Sequence, residues 1–192
     1  MNVRKVYFHY LLYVLYVPYL LAMRILGIDP GLATIGIGCI ERGSSKDDLR
    51  LLDSCTIETP KGLSHPMRLQ ELASDLRKVL QDRKPDLAVV EKLYFQTNVK
   101  TAMDVAEARG VILLTLAESG IEILEPTPLQ LKLAVTGDGK ADKRQVSAML
   151  RLILKLPQDA FALDADDVTD AVALAVYGAV QQDLTLREEP VR

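Results

Sequence analysis

Cysteine is scarce in this chain. Of 192 residues only Cys39 and Cys55 carry a thiol, too few for a disulfide framework. No processing site and no Asn-x-Ser/Thr sequon points to export, so the sequence reads as a cytoplasmic protein with reduced thiols and both cysteines in the core. Positive charge is also in short supply. The formal net charge is −3, whereas proteins that neutralise phosphates usually carry a basic surface; any polyanion must therefore meet a local patch. Internal repeats and interdomain linkers are missing too. A length of 192 residues at 49 % hydrophobic content is enough for one well-buried domain and a squeeze for two.

An uninterrupted membrane-spanning run is lacking as well. Residues 6–22, VYFHYLLYVLYVPYLLA, follow Arg4 and Lys5 in the manner of a signal or anchor. His9 and Pro18 break the run, no small-residue cleavage site follows, and Met23 opens directly onto a strand. Tyrosines at 7, 10, 13, 16 and 19 recur every third residue, a period that drifts around a helix instead of holding one face. Residues 1–22 are expected to be a hydrophobic extension outside the fold, with Met23 the true start; a real hydrophobic tail is the alternative, and no membrane role is expected. Without this stretch, 21 basic residues face 26 acidic ones, a net charge of −5. The domain is expected over 23–182, and 183–192, with little to bury, as a flexible tail.

What is present has an interpretable order. RILGID (24–29) reads as a buried strand, TIGIGCIER (34–42) as a second across a tight PGLA turn, and LRLLDSCTIETP (49–60) as a third. Short connections make these an antiparallel meander. Pro66 opens a helix to about Lys84 with an apolar stripe of Met67, Leu69, Leu72, Leu76, Val79 and Leu80. DLAVVEKLY (86–94) is a strand apolar on both faces. A helix over about 98–118 starts at Asn98 as N-cap, IEILEP forms a fifth strand, and a helical turn begins at Pro128. Helices over about 142–155 and 164–181 follow, the last capped by Asp164. The expected fold is α/β: a mixed sheet of five strands, three antiparallel and two parallel additions, with helices on both faces.

Acids recur where such a sheet would hold a ligand. Asp29 ends the first strand and Glu91 ends the apolar run LAVVE; ligands of parallel sheets bind outside the carboxyl ends of the strands. In DADDVTDAVALA (164–175), Asp167 and Asp170 lie three apart, hence on one helix face. Ala171, Leu174 and Ala175 bury that side, while Asp166 is turned away. Crowded carboxylates raise each other's pKa unless a cation neutralises them. Hard oxygen donors without Cys or His suit Mg²⁺ or Mn²⁺, and two such ions about 4 Å apart activate water for phosphodiester hydrolysis. Taken singly, Asp29 before Pro30-Gly31 is more often a turn former than a ligand, and Asp164 and Asp166 complement a helix macrodipole.

In their order and spacing, ILGIDPG, VVEKLYF, AMDVAEARGVIL, LKLAVTGDGKADKRQV, LILKLP and DADDVTDAVALA resemble the successive blocks of the RuvC Holliday junction resolvases, nucleases of RNase H-like fold. The likeness covers about Arg24 to Val180. It implies that Asp29, Glu91, Asp167 and Asp170 are catalytic and bind two Mg²⁺ ions per site, with Mn²⁺ able to substitute. It further implies a homodimer that nicks four-way junction DNA symmetrically, working with the branch-migration proteins RuvA and RuvB. Tyr94 matches the family's base-contacting aromatic, with Phe95 adjacent, and the alternative is an aromatic buried under the loop. Lys132, Lys140, Lys143 and Arg144 fall where the family holds DNA backbone, Lys132 and Lys143 matching best; such a run is otherwise a solvated face. Arg109 is expected to fix helix packing, and GDGK lacks the spacing of a P-loop. The extension at 1–22 and the acidic net charge depart from the family. An actin-like ATPase would need a second domain; a non-catalytic junction binder and an RNase H-like nuclease acting on RNA or simpler branched DNA are the other readings.

Overall fold

The structure is a computed structural model that describes residues 22–45, 48–93, 99–157 and 166–188. Residues 1–21, the caps Asn98 and Asp164, and Tyr94 and Phe95 lie outside the described residues. β1 (Met23–Asp29), β2 (Thr34–Arg42) and β3 (Leu49–Glu58) form the antiparallel meander. β4 (Leu87–Val90) pairs with β1 in parallel, and β5 (Glu122–Leu124) pairs in parallel with β4. The sheet order is therefore β3-β2-β1-β4-β5. This is the expected three-plus-two mixed sheet. β4 is shorter than expected, which leaves Glu91 one residue past its end.

Alternation in β1 and β2 divides the core into two layers. On one face, Leu26, Ile28, Ile35, Ile37 and Cys39 pack with α1 (His65–Arg83) and α2 (Val99–Glu118) through Leu72, Leu76, Leu80, Ala108, Ile112 and Leu116. On the other, Ile25, Ile40, Leu87 and Val89 pack against α3 (Pro128–Thr136), α4 (Lys143–Ile153) and α5 (Asp166–Glu188). Among the described residues no helix is long and apolar enough to cross a membrane.

Three local expectations are corrected. Met67 is 52 % exposed, because it lies in the first turn of α1 beyond the edge of the sheet contact. The single turn foreseen at Pro128 is a nine-residue helix, since Thr127 and Gln130 form a reciprocal capping box that satisfies its first amides. The last helix continues to Glu188 instead of ending near 181. Neither Gly nor Pro occurs between Gln181 and Glu188 to stop it, and Leu184, Leu186, Arg187 and Glu188 are good helix formers.

α5 lies very close to the sheet. A Cβ on Gly36 would overlap the Asp167 carbonyl oxygen, one on Gly27 would overlap Ala171, and one on Gly38 would sit 2.7 Å from the Val172 nitrogen. Ala171 and Ala175, both fully buried, complete the close approach. Only small residues on both elements permit it, and it sets the depth at which α5 delivers its acids.

Candidate active site

Asp29 is the last residue of β1, and Gly36 is its cross-strand partner in β2. Since Gly36 also carries the α5 backbone at Asp167, a single short path through the sheet relates the two aspartates. Parallel pairing of β1 with β4 puts Ile28 beside Val90, so Asp29 and Glu91 emerge at the same rim. Glu91 is held by its backbone. Arg109 of α2 donates from Nε to the Glu91 carbonyl oxygen at 2.8 Å and pairs with Glu125 through Nη2. The next amide, that of Lys92, donates to the Pro126 carbonyl at 2.8 Å.

The rim is electrostatically strained. Burial raises the Asp29 pKa from the ordinary 3.8 to about 7, reinforced by the charges of Asp170, Glu91 and Asp167 and opposed by Lys143. The Glu91 carboxyl is also raised, by burial first and then by Asp170, with Lys132 and Lys143 opposing. Four carboxylates from three distant segments thus share one field, as the sequence pattern anticipates.

Lys143, the first residue of α4, reaches into this field. Its Nζ lies 3.3 Å from both Asp166 and Asp170 oxygens. Burial lowers the ammonium pKa, but Asp170 and Asp166 outweigh that and raise it overall. Asp166 is 79 % exposed at its side chain against 38 % for Asp170, consistent with its turning away from the rim. Among the cations, Lys132 acts on Glu91, while Lys140 stands exposed in the loop before α4, its amide donating to Asp138 at 2.8 Å. Arg144 is exposed on α4.

Among the described residues no group of three or more His, Cys, Asp or Glu side chains is already arranged to hold a metal ion. The acids are close enough to perturb one another, and the Lys143 ammonium pairs with Asp170. The donor set nevertheless suits a hard divalent cation. It is all carboxylate oxygen, and the Asp29 carboxyl, raised by burial first and by Asp170, Glu91 and Asp167 next, sits where such an ion would favour its ionised form. Arg109 was expected only to pack helices; its bond to Glu91 is the contribution that sequence reasoning missed, and nothing local to EARG signals it.

A family model described as crossover junction endodeoxyribonuclease RuvC matches residues 25–178. A crossover junction endodeoxyribonuclease RuvC of Chloroflexus aurantiacus is 48 % identical over 157 residues, covering 82 % of this chain and 93 % of the relative. The structure of Thermus thermophilus RuvC in complex with a Holliday junction substrate superposes with a TM-score of 0.77 at 28 % identity, covering 85 % of this chain and 96 % of that one. The yeast mitochondrial Holliday junction resolvase Ydc2 shares the fold, with a TM-score of 0.64 at 15 % identity over 86 % of this chain and 81 % of that one.

Proposed function

Because the chain belongs to the RuvC family of crossover junction endodeoxyribonucleases, we propose that it resolves four-way DNA junctions by paired symmetric nicks in recombination and repair. It does so as an RNase H-like, metal-dependent endonuclease. Asp29, Glu91, Asp167 and Asp170 hold two divalent cations, Mg²⁺ with Mn²⁺ as substitute. The observation that carries this reading is the Asp29 carboxyl raised to about 7 by burial and by three acids from two other segments, Glu91 after β4 and Asp167 and Asp170 on α5. A structural role does not require four such charges at one rim.

When bound, the ions supply an activated water and stabilise the leaving oxygen of the phosphodiester. The chain supplies the rest. Asp29 is fixed by the β1–β2 ladder, Glu91 by Arg109, and Asp167 and Asp170 by the seating of α5. Lys143 contacts the phosphate once the acids are neutralised, with Lys132, Lys140 and Arg144 on flanking backbone. Tyr94 or Phe95 stacks on an unpaired base, a contact worth about 1 to 3 kcal/mol. The enzyme acts as a homodimer on junction DNA and cooperates with RuvA and RuvB.

The test is cleavage of a mobile four-way junction with Mg²⁺ or Mn²⁺, beside linear duplex and an RNA–DNA hybrid. Paired symmetric nicks are expected on the junction only. Asp29→Asn should keep junction binding and lose at least about 10³-fold in rate, because removing a metal-ion site costs several kcal/mol of transition-state stabilisation. Near-normal cutting by that variant defeats the mechanism, and equal cutting of all three substrates defeats junction selectivity.

A further inference from the structure

The turn that follows Asp29 is held by more bonds than its burial requires. Residues 30–33 carry the chain from β1 into β2, folded so tightly that a Cβ on Gly31 would lie 2.1 Å from the Thr34 carbonyl oxygen. Leu32 is buried in the core layer beneath α1 and α2, so its carbonyl needs a partner within the protein. Thr59, just past the end of β3, supplies one. Its hydroxyl donates to the Leu32 carbonyl at 2.5 Å, and its amide donates to the Ala33 carbonyl at 3.1 Å. Arg68, near the start of α1, adds two more bonds, from Nη2 to the same Leu32 carbonyl at 3.3 Å and from Nε to the Thr59 hydroxyl oxygen at 3.0 Å. A guanidinium has only donors, so the Thr59 oxygen accepts from Arg68 and its single hydrogen goes to Leu32.

Resting on the nuclease reading above, we propose that Arg68, acting through Thr59 and the Leu32 carbonyl, is a positioning residue for nicking: it fixes the turn that leaves Asp29, and with it the direction of the Asp29 carboxylate toward the other three acids. Satisfying a buried carbonyl does not account for Arg68. Thr59 already donates to Leu32, and drawing a guanidinium partly out of water as a second donor carries a desolvation cost. What the fork adds is two bonds of fixed relative direction, which lock the hydroxyl and the carbonyl against each other. The charges acting on Asp29 are those of Asp170, Glu91, Asp167 and Lys143, so Arg68 reaches it through bonds and backbone, not through its field. The clamp also has a firm anchor. Leu72 and Leu76 of α1 are buried, and His65, at the first position of α1, pairs through Nε2 with Glu107 of α2.

The test compares Arg68→Ala, Thr59→Val and Thr59→Ser with a control, Arg77→Ala. Arg77 pairs with Glu118 at 3.1 Å and so links α1 to α2 toward their far ends. Amide exchange is followed in the metal-free protein, and single-turnover nicking of a four-way junction is followed over a Mn²⁺ titration. Arg68→Ala and Thr59→Val should speed exchange at residues 31–34 about tenfold or more while leaving the middle of α1 unchanged. Both should slow nicking roughly tenfold or more at subsaturating Mn²⁺ and raise the Mn²⁺ concentration for half-maximal rate. Junction affinity in a chelator should stay at the wild-type value. Thr59→Ser loses a methyl but keeps the hydroxyl, and it should exchange and nick like the wild type, as should Arg77→Ala. If Arg68→Ala does not fold, the valine and serine variants of Thr59 decide the matter. Wild-type nicking by Thr59→Val overturns the proposal even where the turn exchanges faster, as does an equal loss in Thr59→Ser or in Arg77→Ala. A wild-type chain that does not nick the junction overturns the nuclease reading itself, whatever the exchange of the turn.

Discussion

Asp29 is the residue on which most of the proposed chemistry converges. Its pKa, raised to about 7 by burial and neighbouring acids, means that folding favours the protonated carboxyl over the ionised one. The stabilising contribution is complete below about pH 4 and is lost as pH rises through 7. In a chelator, the melting temperature should therefore fall between about pH 4 and pH 7, and Asp29→Asn should flatten most of that fall. Thermal denaturation against pH checks both. Divalent metal needs the ionised form, so Mn²⁺ binding near neutrality should release a proton, measurable as buffer-dependent heat in calorimetry. Arg109 acts one step removed. Arg109→Ala deletes the donor to the Glu91 carbonyl and should lower the single-turnover rate about tenfold or more. Junction affinity should be unchanged, a separation that a general loss of stability would not produce.

Among the elements, α5 decides the site because its distance from the sheet is its distance from Asp29. Gly36→Ala pushes on the Asp167 carbonyl, and Gly38→Ala pushes on Val172 further down the helix. Each should cost about 1–3 kcal/mol of stability, the range for overpacking. Only Gly36→Ala should also weaken Mn²⁺ binding markedly, because its thrust falls at the aspartates. Melting temperatures and Mn²⁺ titrations of the two variants, compared side by side, check this. The α5 pattern was legible: AVALA buries its small residues, and the acids three apart share a face. The depth of the contact was not, because glycines in β1 and β2 read as strand punctuation until the helix that fills their missing Cβ space is known. The capping box at Thr127 and Gln130 is visible in the sequence as a Thr-x-x-Gln pattern, and it starts a nine-residue helix where the apolar pattern alone suggests a single turn.

For the molecule as a whole, the consequence of the proposed homodimer is that two rims act on one junction. Mixing wild type with Asp29→Asn before adding DNA should give hybrid dimers with one competent site. These should accumulate singly nicked junction, while wild-type dimers yield paired nicks; denaturing gels of each labelled strand distinguish the two. If singly nicked product stays absent at every mixing ratio, the two sites are not on separate subunits of one assembly.

The linear chain alone determined the strand and helix order, the two-faced sheet and the places of the four candidate acids along it. Those follow from hydrophobic period, strand-end position and helical spacing, which are local properties. Tertiary structure alone decided that Gly36 ties Asp29 to Asp167, that Arg109 grips Glu91, and that Lys143 enters the acid field. Each of these joins residues far apart in the chain, and no short-range pattern encodes how closely two packed elements approach.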